Sequence, residues 1–324
     1  MPGVLVFGEL AGDSLHDASL EVLAAGATLA AQLGEPLIGA LPGTSAPAAV
    51  AGFQRGPGRV LLCASEELRQ YDGERFAACA QQLLAQTAAR IVLAPHTPQT
   101  RDWMPRLAAR MDAGLAMNCT ALAVEGDALL VTRPLFGGSV LGDFVLHGTP
   151  QMATVSAGAF APAVSAVPCA VEMIAPAPVT ESGVTLIEEI AGDSGDGVRL
   201  QDAKIVLSGG RGLGGPENWH HIEKAAQDLG AAIGCSRPVV DAGWVASRHQ
   251  VGMSGTSVAP ELYIAVGISG AVHHLAGIAA ARTVVAINTD AEAGIFRRAN
   301  YGAVGDFREV LPAFVARVRE LRGG

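Results

Sequence analysis

The stretch from Gln250 to Phe296 most constrains what this chain can fold into. Its middle, ELYIAVGIS, is a continuous apolar run, typical of a strand buried on both faces of a parallel sheet. The run stops at Ser269-Gly270, and a helical pattern, AVHHLAGIAAA, follows at once. A second apolar strand, TVVAIN, ends on the polar pair Asn288-Thr289. The stretch therefore predicts parallel strands with polar residues at their carboxyl ends, where a ligand can bind. Strands of α/β sheets also end in Ser, Gly and Asn without a ligand, so that alternative stays open.

The first half of the chain alternates apolar strands with helical patterns, which predicts a parallel sheet covered by helices. The predicted strands are 4–8, 36–41, 59–64 and 91–96, and the predicted helices are 18–33, 46–54, 74–89 and 100–114. Gly34 ends the first helix, and Thr100 is the expected N-cap of the last. Beyond Gly114 the segment ALAVEGDALLVTRPLFGG predicts a β-hairpin turning at Gly126-Asp127. The Pro/Ala-rich segment 161–178 suits a strand or an extended arm.

The length of the chain predicts two domains, because 324 residues exceed the ~250–300 at which single hydrophobic cores stop growing. The acidic, Gly-rich segment 187–203 is the expected boundary, which divides the chain into 1–195 and 196–324. We predict the α/β fold class, with an N-terminal parallel-sheet domain that carries β-hairpin additions and a C-terminal Rossmann-like domain.

The charge and the cysteine pattern disfavour several classes of protein. The formal net charge of −9 argues against binding nucleic acid or an anionic membrane by bulk electrostatics. No apolar run approaches the ~18 residues of a membrane span, and the N-terminus lacks a signal-peptide pattern, so a cytoplasmic location is expected. The five cysteines are scattered without a CxxC pair, which favours buried thiols over a metal site.

A glycine-rich loop opens the second half of the chain. Strand KIVLS (204–208) leads into GGRGLGG, and the helical pattern 216–230 follows. Gly210, Gly212 and Gly215 satisfy G-x-G-x-x-G between a strand and a helix, which indicates a dinucleotide site. The next strand, AAIG, ends in Cys235-Ser236-Arg237 without the acid that binds the ribose of NAD. An arginine there suits a 2′-phosphate, so an NADP-binding oxidoreductase or transhydrogenase domain is the alternative.

The long second-half motifs resemble the FAD-binding signature of the electron-transfer flavoprotein alpha subunit. The matching segments are SGGRG, SRPVVDAG, QVG (250–252), VAPELYIAVGISGA (258–271), HLAG (274–277), VVAIN (284–288) and EA-IF (292–296). The first half is similar more loosely, at the opening strand, RDWMPRLAARMDAGL and RPLFGGSVL. The chain departs from the family at Ser156, where Arg is frequent, and at Gly294, where Pro is usual.

The resemblance implies a set of FAD-binding residues at the predicted strand ends. Arg211 would meet the pyrophosphate, Ser236 would bond the cofactor, and Arg237 would lie by the isoalloxazine ring and favour reduced flavin. The loop Val251, Gly252, Met253 and Ser254 would approach the ring, with the Ser254 hydroxyl near flavin N5; Met253 departs from the family. The corner Ser269, Gly270, Ala271, Val272, His273 and His274 would place His274 near flavin O2, with His273 toward the ribityl–phosphate side or solvent. Asn288, Asp306 and Phe307 would bind the adenosine side.

Plainer roles remain open for several of these residues. Arg211 could be an ordinary surface arginine in a glycine turn. Arg237 could form a structural ion pair, and Asp306 could be an N-cap for the helix that follows. A lone histidine such as His274 is often structural. The set His96, Arg101, Arg106 and Arg110 is predicted to be a solvated or interface face of a helix rather than an anion site.

The resemblance implies an electron carrier. The chain would be the FAD-binding subunit of a heterodimer whose beta subunit often carries AMP. Electrons would come from flavin dehydrogenases of the acyl-CoA or amine type and pass to a quinone oxidoreductase or another acceptor. A carrier that bifurcates electrons with a second FAD is a variant of this prediction. A non-catalytic subunit that has lost FAD is a further alternative, suggested by Met253 and Ser156.

Overall fold

The computed structural model describes residues 2–43, 47–138, 140–163, 169–176, 183–188 and 199–322. The chain divides into two compact units, which we call the N-terminal unit (Met1–Pro134 with Leu141–Glu189) and the C-terminal unit (Leu135–Val140 with Ile190–Gly324). Each unit contains a parallel sheet with helices, so the predicted α/β class is confirmed. The predicted boundary between residues 195 and 196 falls outside the described residues and stays a prediction.

The N-terminal half contains twelve strands and four helices among its described residues. They are β1 (Gly3–Phe7), β2 (Leu10–Ala11), β3 (Ser14–Leu15), α1 (Ala18–Leu33), β4 (Leu37–Gly43), α2 (Pro47–Phe53), β5 (Arg59–Ala64), α3 (Gly73–Ala85), β6 (Ala89–Pro95), α4 (Pro98–Arg110), β7 (Gly114–Cys119), β8 (Ala121–Glu125), β9 (Ala128–Leu135), β10 (Val140–Leu146), β11 (Gln151–Val155) and β12 (Ala170–Met173). Short 3-10 helices lie at Glu66–Leu68 and Phe136–Gly138.

Seven of these strands form one sheet in the order β12-β5-β4-β1-β6-β11-β7. The central strand β1 is parallel to both neighbours and buried along its whole length, as a continuous apolar run predicts. Two apolar clusters cover the sheet, one on each face. The predicted hairpin is confirmed, because β8 and β9 pair antiparallel around Gly126-Asp127, and β10 adds a third strand. Within the arm 161–178, β12 pairs parallel with β5; residues 164–168, 177 and 178 lie outside the described part.

Two helix predictions of the first half show how local signals succeed and fail. Helix α1 has the predicted bounds, and Gly34 ends it with φ 64°, a left-handed conformation that glycine adopts without strain. The predicted start and end of α4 are wrong. Thr97, not Thr100, is its N-cap, since the Thr97 side chain accepts a hydrogen bond from the Thr100 backbone N at 3.1 Å. The helix ends at Arg110, and the chain from Gly114 forms strand β7 beside β11.

The described part of the C-terminal unit alternates five strands with helices. They are β13 (Ile205–Gly209), α5 (Trp219–Leu229), β14 (Ala232–Cys235), α6 (Arg237–Asp241), β15 (Leu262–Val266), α7 (Val272–Gly277), β16 (Thr283–Asn288), β17 (Tyr301–Val304) and α8 (Phe307–Arg322). Short 3-10 helices lie at Leu200–Asp202, Arg211–Leu213, Pro216–Asn218, Ser247–His249 and Gly294–Arg297. Helix α7 is shorter than its predicted pattern, and the first turn of the predicted helix 216–230 is 3-10.

The five strands of this unit are all parallel, in the order β14-β13-β15-β16-β17. Numbered along the chain within the unit, the strand order is 2-1-3-4-5. This is the order of the flavodoxin-like doubly wound sheets. The Rossmann-like detail of the prediction is therefore not confirmed. The chain changes direction across the sheet between β13 and β15. Open α/β sheets bind ligands outside the carboxyl ends of their strands at such a switch point.

Among the described residues, no helix has the length and apolar content that crossing a bilayer requires.

Candidate functional site

The carboxyl ends of the five C-terminal strands share one edge, because the strands are parallel. Every predicted ligand residue lies at this edge or in a loop that leaves it. Arg211 follows β13; Ser236 and Arg237 follow β14; the corner 269–274 follows β15; Asn288 ends β16; Asp306 and Phe307 follow β17. The fold thus collects, on one edge of one sheet, residues that span nearly a hundred positions of sequence.

The glycines at the switch point let two loops touch through their backbones. Gly212 N donates a hydrogen bond to the Gly267 carbonyl at 2.9 Å, and a Cβ at Gly212 would lie only 2.7 Å from that oxygen. A Cβ at Gly210 would overlap the same carbonyl. Gly267 itself has φ +62°, and its own Cβ would lie 2.9 Å from Gly212 C. Chain packing therefore requires the first two glycines of G-x-G-x-x-G, whether or not the loop also binds a phosphate.

Three polar residues lie in the first two loops. The exposed Arg211 side chain has no hydrogen bond or ion pair within the described chain. Ser236 is buried, and its hydroxyl caps no backbone N–H, although its own N donates to Gly209 O at 3.1 Å. Arg237 is 65% exposed and lies 3.4 Å from the carboxylate of Asp241. Exposed pairs of this kind contribute only about 0–1 kcal/mol, so Asp241 does not hold Arg237 away from a ligand.

The loop 250–256 connects two of the predicted segments. Val251 N donates to Cys235 O at 2.9 Å, which attaches the loop to the end of β14. On its other side, Met253 N donates to His273 O at 2.8 Å. Gly252 has φ +143°, and a Cβ at Gly277 would lie 2.6 Å from Gly252 N, so both glycines permit this close approach.

Side chains of this loop face in different directions. Val251 is buried, so only its backbone is available to a ligand, whereas the Met253 side chain is 51% exposed. The exposed Ser254 hydroxyl accepts a hydrogen bond from Gln250 Nε2 at 2.9 Å and keeps its own proton to donate.

The corner after β15 turns sharply at Gly270, which has φ +81°. A Cβ at Gly270 would lie 2.6 Å from Gly294 C, and Ser269 O accepts a hydrogen bond from Ile295 N at 3.1 Å. The segment 294–297 therefore supports the corner from behind. Four corner residues are exposed: Ser269, Ala271, Val272 and His273.

His274 is buried, with 6% of its surface exposed. Its Nε2 lies 2.9 Å from the hydroxyl of Tyr263, a fully buried residue of β15. Its Nδ1 is buried and has no hydrogen-bond partner of normal geometry within the described chain. Burial lowers the pKa of His274 to about 4, with a smaller opposing contribution from the backbone of Val251. The imidazole is therefore neutral at pH 7, and its Nδ1 lies inside the fold near the backbone of Val251.

The predicted adenosine residues are largely engaged within the chain. Asn288 donates from Nδ2 to Ile268 O at 3.0 Å and accepts at Oδ1 from Asp290 N at 3.1 Å. Asp306 accepts from Arg308 N at 2.8 Å, and this bond is the first cause of its lowered pKa. The role of Asp306 at a helix start is thus present in the structure. Phe307 is buried in the core, so any contact it makes with a ligand would come from its backbone.

The arginine set of the first half does not form one site. Arg106 forms ion pairs with Asp102, at 3.1 Å, and with Glu74, and Arg110 pairs with Glu74 at 2.7 Å. These exposed pairs form a solvated network between α3 and α4. His96 lies apart from them and contacts Thr154 Oγ1 through Nδ1 at 2.8 Å.

Sequence reasoning missed Tyr263, the buried polar residue that contacts His274. A signal for Tyr263 was present, because a phenol inside the apolar run ELYIAVGIS needs a hydrogen-bond partner once it is buried. The identity of that partner could not be read from the sequence.

Comparison with known families decides what this edge belongs to. Residues 4–189 match the family model described as electron transfer flavoprotein domain, and residues 199–279 match the electron transfer flavoprotein FAD-binding domain. The chain belongs to the electron transfer flavoprotein family. The resemblance stated from the sequence is thereby confirmed, with FAD as the cofactor and electron transfer as the general function.

Relatives within the electron transfer flavoprotein family match 79–98% of this chain. Protein FixB of Clostridium saccharobutylicum is 36% identical, covering 98% of this chain and 97% of its own. The electron transfer flavoprotein subunit alpha of Bacillus subtilis (strain 168) is 34% identical, covering 98% of both chains. The subunit alpha of Thermoanaerobacterium thermosaccharolyticum is 40% identical over 79% of this chain and 78% of its own.

The residues of the carboxyl edge fit a flavin dinucleotide. FAD presents mainly acceptors, namely phosphate oxygens and ring carbonyls, and the edge offers donors without protein acceptors. These donors are the Arg211 guanidinium and the Ser236 hydroxyl.

Proposed function

We propose that this chain is the FAD-holding alpha subunit of a heterodimeric electron carrier. Two relatives that match it over most of their length are named subunit alpha, a name that implies a second subunit. The beta subunit, which by family resemblance often carries AMP, would complete the assembly. A cytoplasmic location belongs to the same proposal.

One observation supports this proposal most directly, namely the convergence of unpartnered donors at the switch-point edge. Arg211 would bind the pyrophosphate, since a guanidinium forms strong charge-assisted bonds with phosphate. Ser236 and Arg237 would lie toward the flavin, with the loop Val251–Ser254 along the ring. The corner Ser269–His273 would follow the cofactor chain, and Asn288, Asp306 and Phe307 would border the adenosine.

The bound FAD would supply the electron transfer itself. The protein's part is electrostatic, because reduction adds negative charge to the ring and nearby donors or cations stabilise that charge. Arg237 would provide a fixed positive charge, and the neutral His274 a hydrogen bond. At pH 7 the imidazole is neutral and carries a single N–H proton, since the pKa of His274 is about 4.

The proposed donors are flavin dehydrogenases of the acyl-CoA or amine type, and the proposed acceptor is a quinone oxidoreductase or a similar protein. Reduction of the FAD-loaded heterodimer by an acyl-CoA dehydrogenase and its substrate checks the donor. Reduction by NADPH alone would instead favour a pyridine-nucleotide oxidoreductase.

The first test is the visible spectrum of the chain purified together with its beta subunit. A yellow complex with one FAD in this chain is expected. Arg211→Ala should weaken FAD binding about tenfold to a hundredfold, because a charge-assisted hydrogen bond contributes about 1.5–3 kcal/mol. Arg317→Ala is the matched control, since Arg317 is an exposed arginine on α8 paired only with Glu320 at 2.8 Å among the described residues. A colourless complex that takes up no added FAD contradicts the proposal.

A further inference from the structure

Ser254 lies at the centre of a tight turn. Gly255 N donates a hydrogen bond to Gly252 O at 3.0 Å, which closes the turn around Met253 and Ser254. Ser254 is exposed, so its side chain is accessible to a ligand. A free serine side chain populates three staggered rotamers, so the turn alone does not fix the direction of the hydroxyl.

Gln250 has a fixed position at the base of this turn. Its backbone N donates to Ser247 O at 2.9 Å, and its carbonyl accepts from Thr256 N at 2.8 Å. The N of the next residue, Val251, donates to Cys235 O at the end of β14 at 2.9 Å. Gln250 is 8% exposed, so its side chain extends from a buried backbone that is bonded on both sides.

One hydrogen bond joins the side chains of Gln250 and Ser254. Nε2 of Gln250 donates to Oγ of Ser254 at 2.9 Å. A hydroxyl has one proton and two acceptor lone pairs, so a hydroxyl that accepts from an amide still has its proton to donate. Among the described residues, the Ser254 hydroxyl donates to no protein acceptor. The amide of Gln250 therefore selects one rotamer of Ser254 and leaves the hydroxyl proton available to a ligand.

We propose that Gln250 is a positioning residue for the flavin site. Its Nε2 holds the Ser254 hydroxyl as a hydrogen-bond donor to an acceptor atom of the flavin ring. This rests on the proposed placement of the loop Val251–Ser254 along the ring. A donor that is already oriented loses less entropy on binding than a freely rotating hydroxyl, and the bond from the amide polarises the hydroxyl and strengthens its own donation. Gln250 acts in this role through Ser254 and not through contact with the cofactor.

The hydrogen bond itself is the first readout. The chain is labelled with ¹⁵N-glutamine and purified together with its beta subunit, and the side-chain amide signals are recorded by NMR with and without FAD. The signal lost in Gln250→Glu identifies Gln250. Ser254→Ala should shift this amide signal in both states, because the acceptor of Nε2 is removed. An unchanged signal would show that Nε2 does not donate to Ser254, and it would overturn the proposal.

The flavin gives the second readout, through a double-mutant cycle. Gln250→Met removes the amide and keeps an unbranched side chain of similar length. It should raise the dissociation constant of FAD about threefold to tenfold, the effect of one ordinary hydrogen bond, and lower the potential at which the flavin takes up its first electron. When Ser254→Ala has already removed the hydroxyl, the change at Gln250 should have no further effect on either quantity. Equal effects of Gln250→Met with and without the Ser254 hydroxyl overturn the proposal.

Gln151→Met is the matched control. Gln151 is a buried glutamine of β11, and its Nε2 donates to Asp127 O at 2.9 Å in the N-terminal unit. This variant should reduce the stability of the fold, because a buried hydrogen bond is lost, but it should leave FAD binding and the flavin potential unchanged. Shifts equal to those of Gln250→Met would show a general effect of lost stability and would contradict a positioning role.

The two proposals fail in different ways. A wild-type heterodimer that binds no FAD contradicts the proposed function, whereas the bond between Gln250 and Ser254 can still be measured in the flavin-free protein. A heterodimer that binds FAD but shows no coupling between the two residues contradicts only the role of Gln250.

Discussion

Single residues at the switch point show why a glycine motif has more than one cause. Gly210, Gly212 and Gly267 bring two loops into backbone contact, and a side chain at any of them would collide with the opposite loop. The motif predicted a dinucleotide site, and the family comparison supports FAD. The structure adds that two of the three motif glycines are already required by contacts within the chain.

The steric role of Gly267 can be separated from its backbone strain. Gly267→Ala should destabilise the protein by about 2–4 kcal/mol, because the new Cβ meets Gly212 C at 2.9 Å and the left-handed φ adds strain. Gly230→Ala is the control, since Gly230 has φ +64° but nothing within 4 Å of its Cβ position. It should cost only about 1 kcal/mol. Urea unfolding of both variants measures the difference, and equal losses would contradict a steric role.

Among secondary-structure elements, α4 begins at a cap that also makes a tertiary contact. Both Thr97 and Thr100 suit an N-cap, and sequence alone favoured Thr100. In the structure Thr97 Oγ1 caps the helix and also donates to the carboxylate of Glu9, which follows β1. Thr100 contacts the same carboxylate at 3.3 Å. Glu9, nearly ninety residues away in sequence, therefore accepts a hydrogen bond from the capping hydroxyl, and the local sequence does not reveal this acceptor.

Removal of the Thr97 hydroxyl should destabilise the N-terminal unit. Thr97→Ala should cost about 1–2 kcal/mol, the usual effect of losing a cap, while Thr97→Ser keeps the hydroxyl and should lose much less. Chemical denaturation measures both. If Thr97→Ala is no worse than Thr97→Ser, the hydroxyl does not stabilise the helix.

At the scale of the whole molecule, each unit contains one histidine with a strongly lowered pKa. Burial lowers the pKa of His96 to about 4, assisted by the charges of Arg101 and Arg133, and burial also lowers the pKa of His274 to about 4. An unfolded histidine titrates near ~6.5. As pH falls from about 6.5 to 4, the unfolded chain takes up protons that the folded chain does not, so acid destabilises the fold.

The slope of stability against pH tests this coupling. Between pH 7 and pH 5 the free energy of unfolding should fall, and for His274 the full effect approaches about 3 kcal/mol. Burial raises the pKa values of Glu9 and Glu21, so these two groups increase the free energy of unfolding as the pH falls. The contribution of one histidine is therefore measured as the difference in slope between its variant and the wild-type protein. His96→Gln should flatten the slope and serves as the test outside the flavin site. An unchanged slope would show that His96 titrates normally in the folded protein.

The sequence by itself determined the class of fold, most element positions, the hairpin and the family. These follow from local causes, namely apolar periodicity, turn residues and one long motif. Only the tertiary structure decided the order of the strands, the packing role of Gly267, the cap of α4 and the pairing of Tyr263 with His274. Each of these depends on contacts between residues from different elements, and the free energy of such a contact depends on burial and geometry that exist only once the chain has folded.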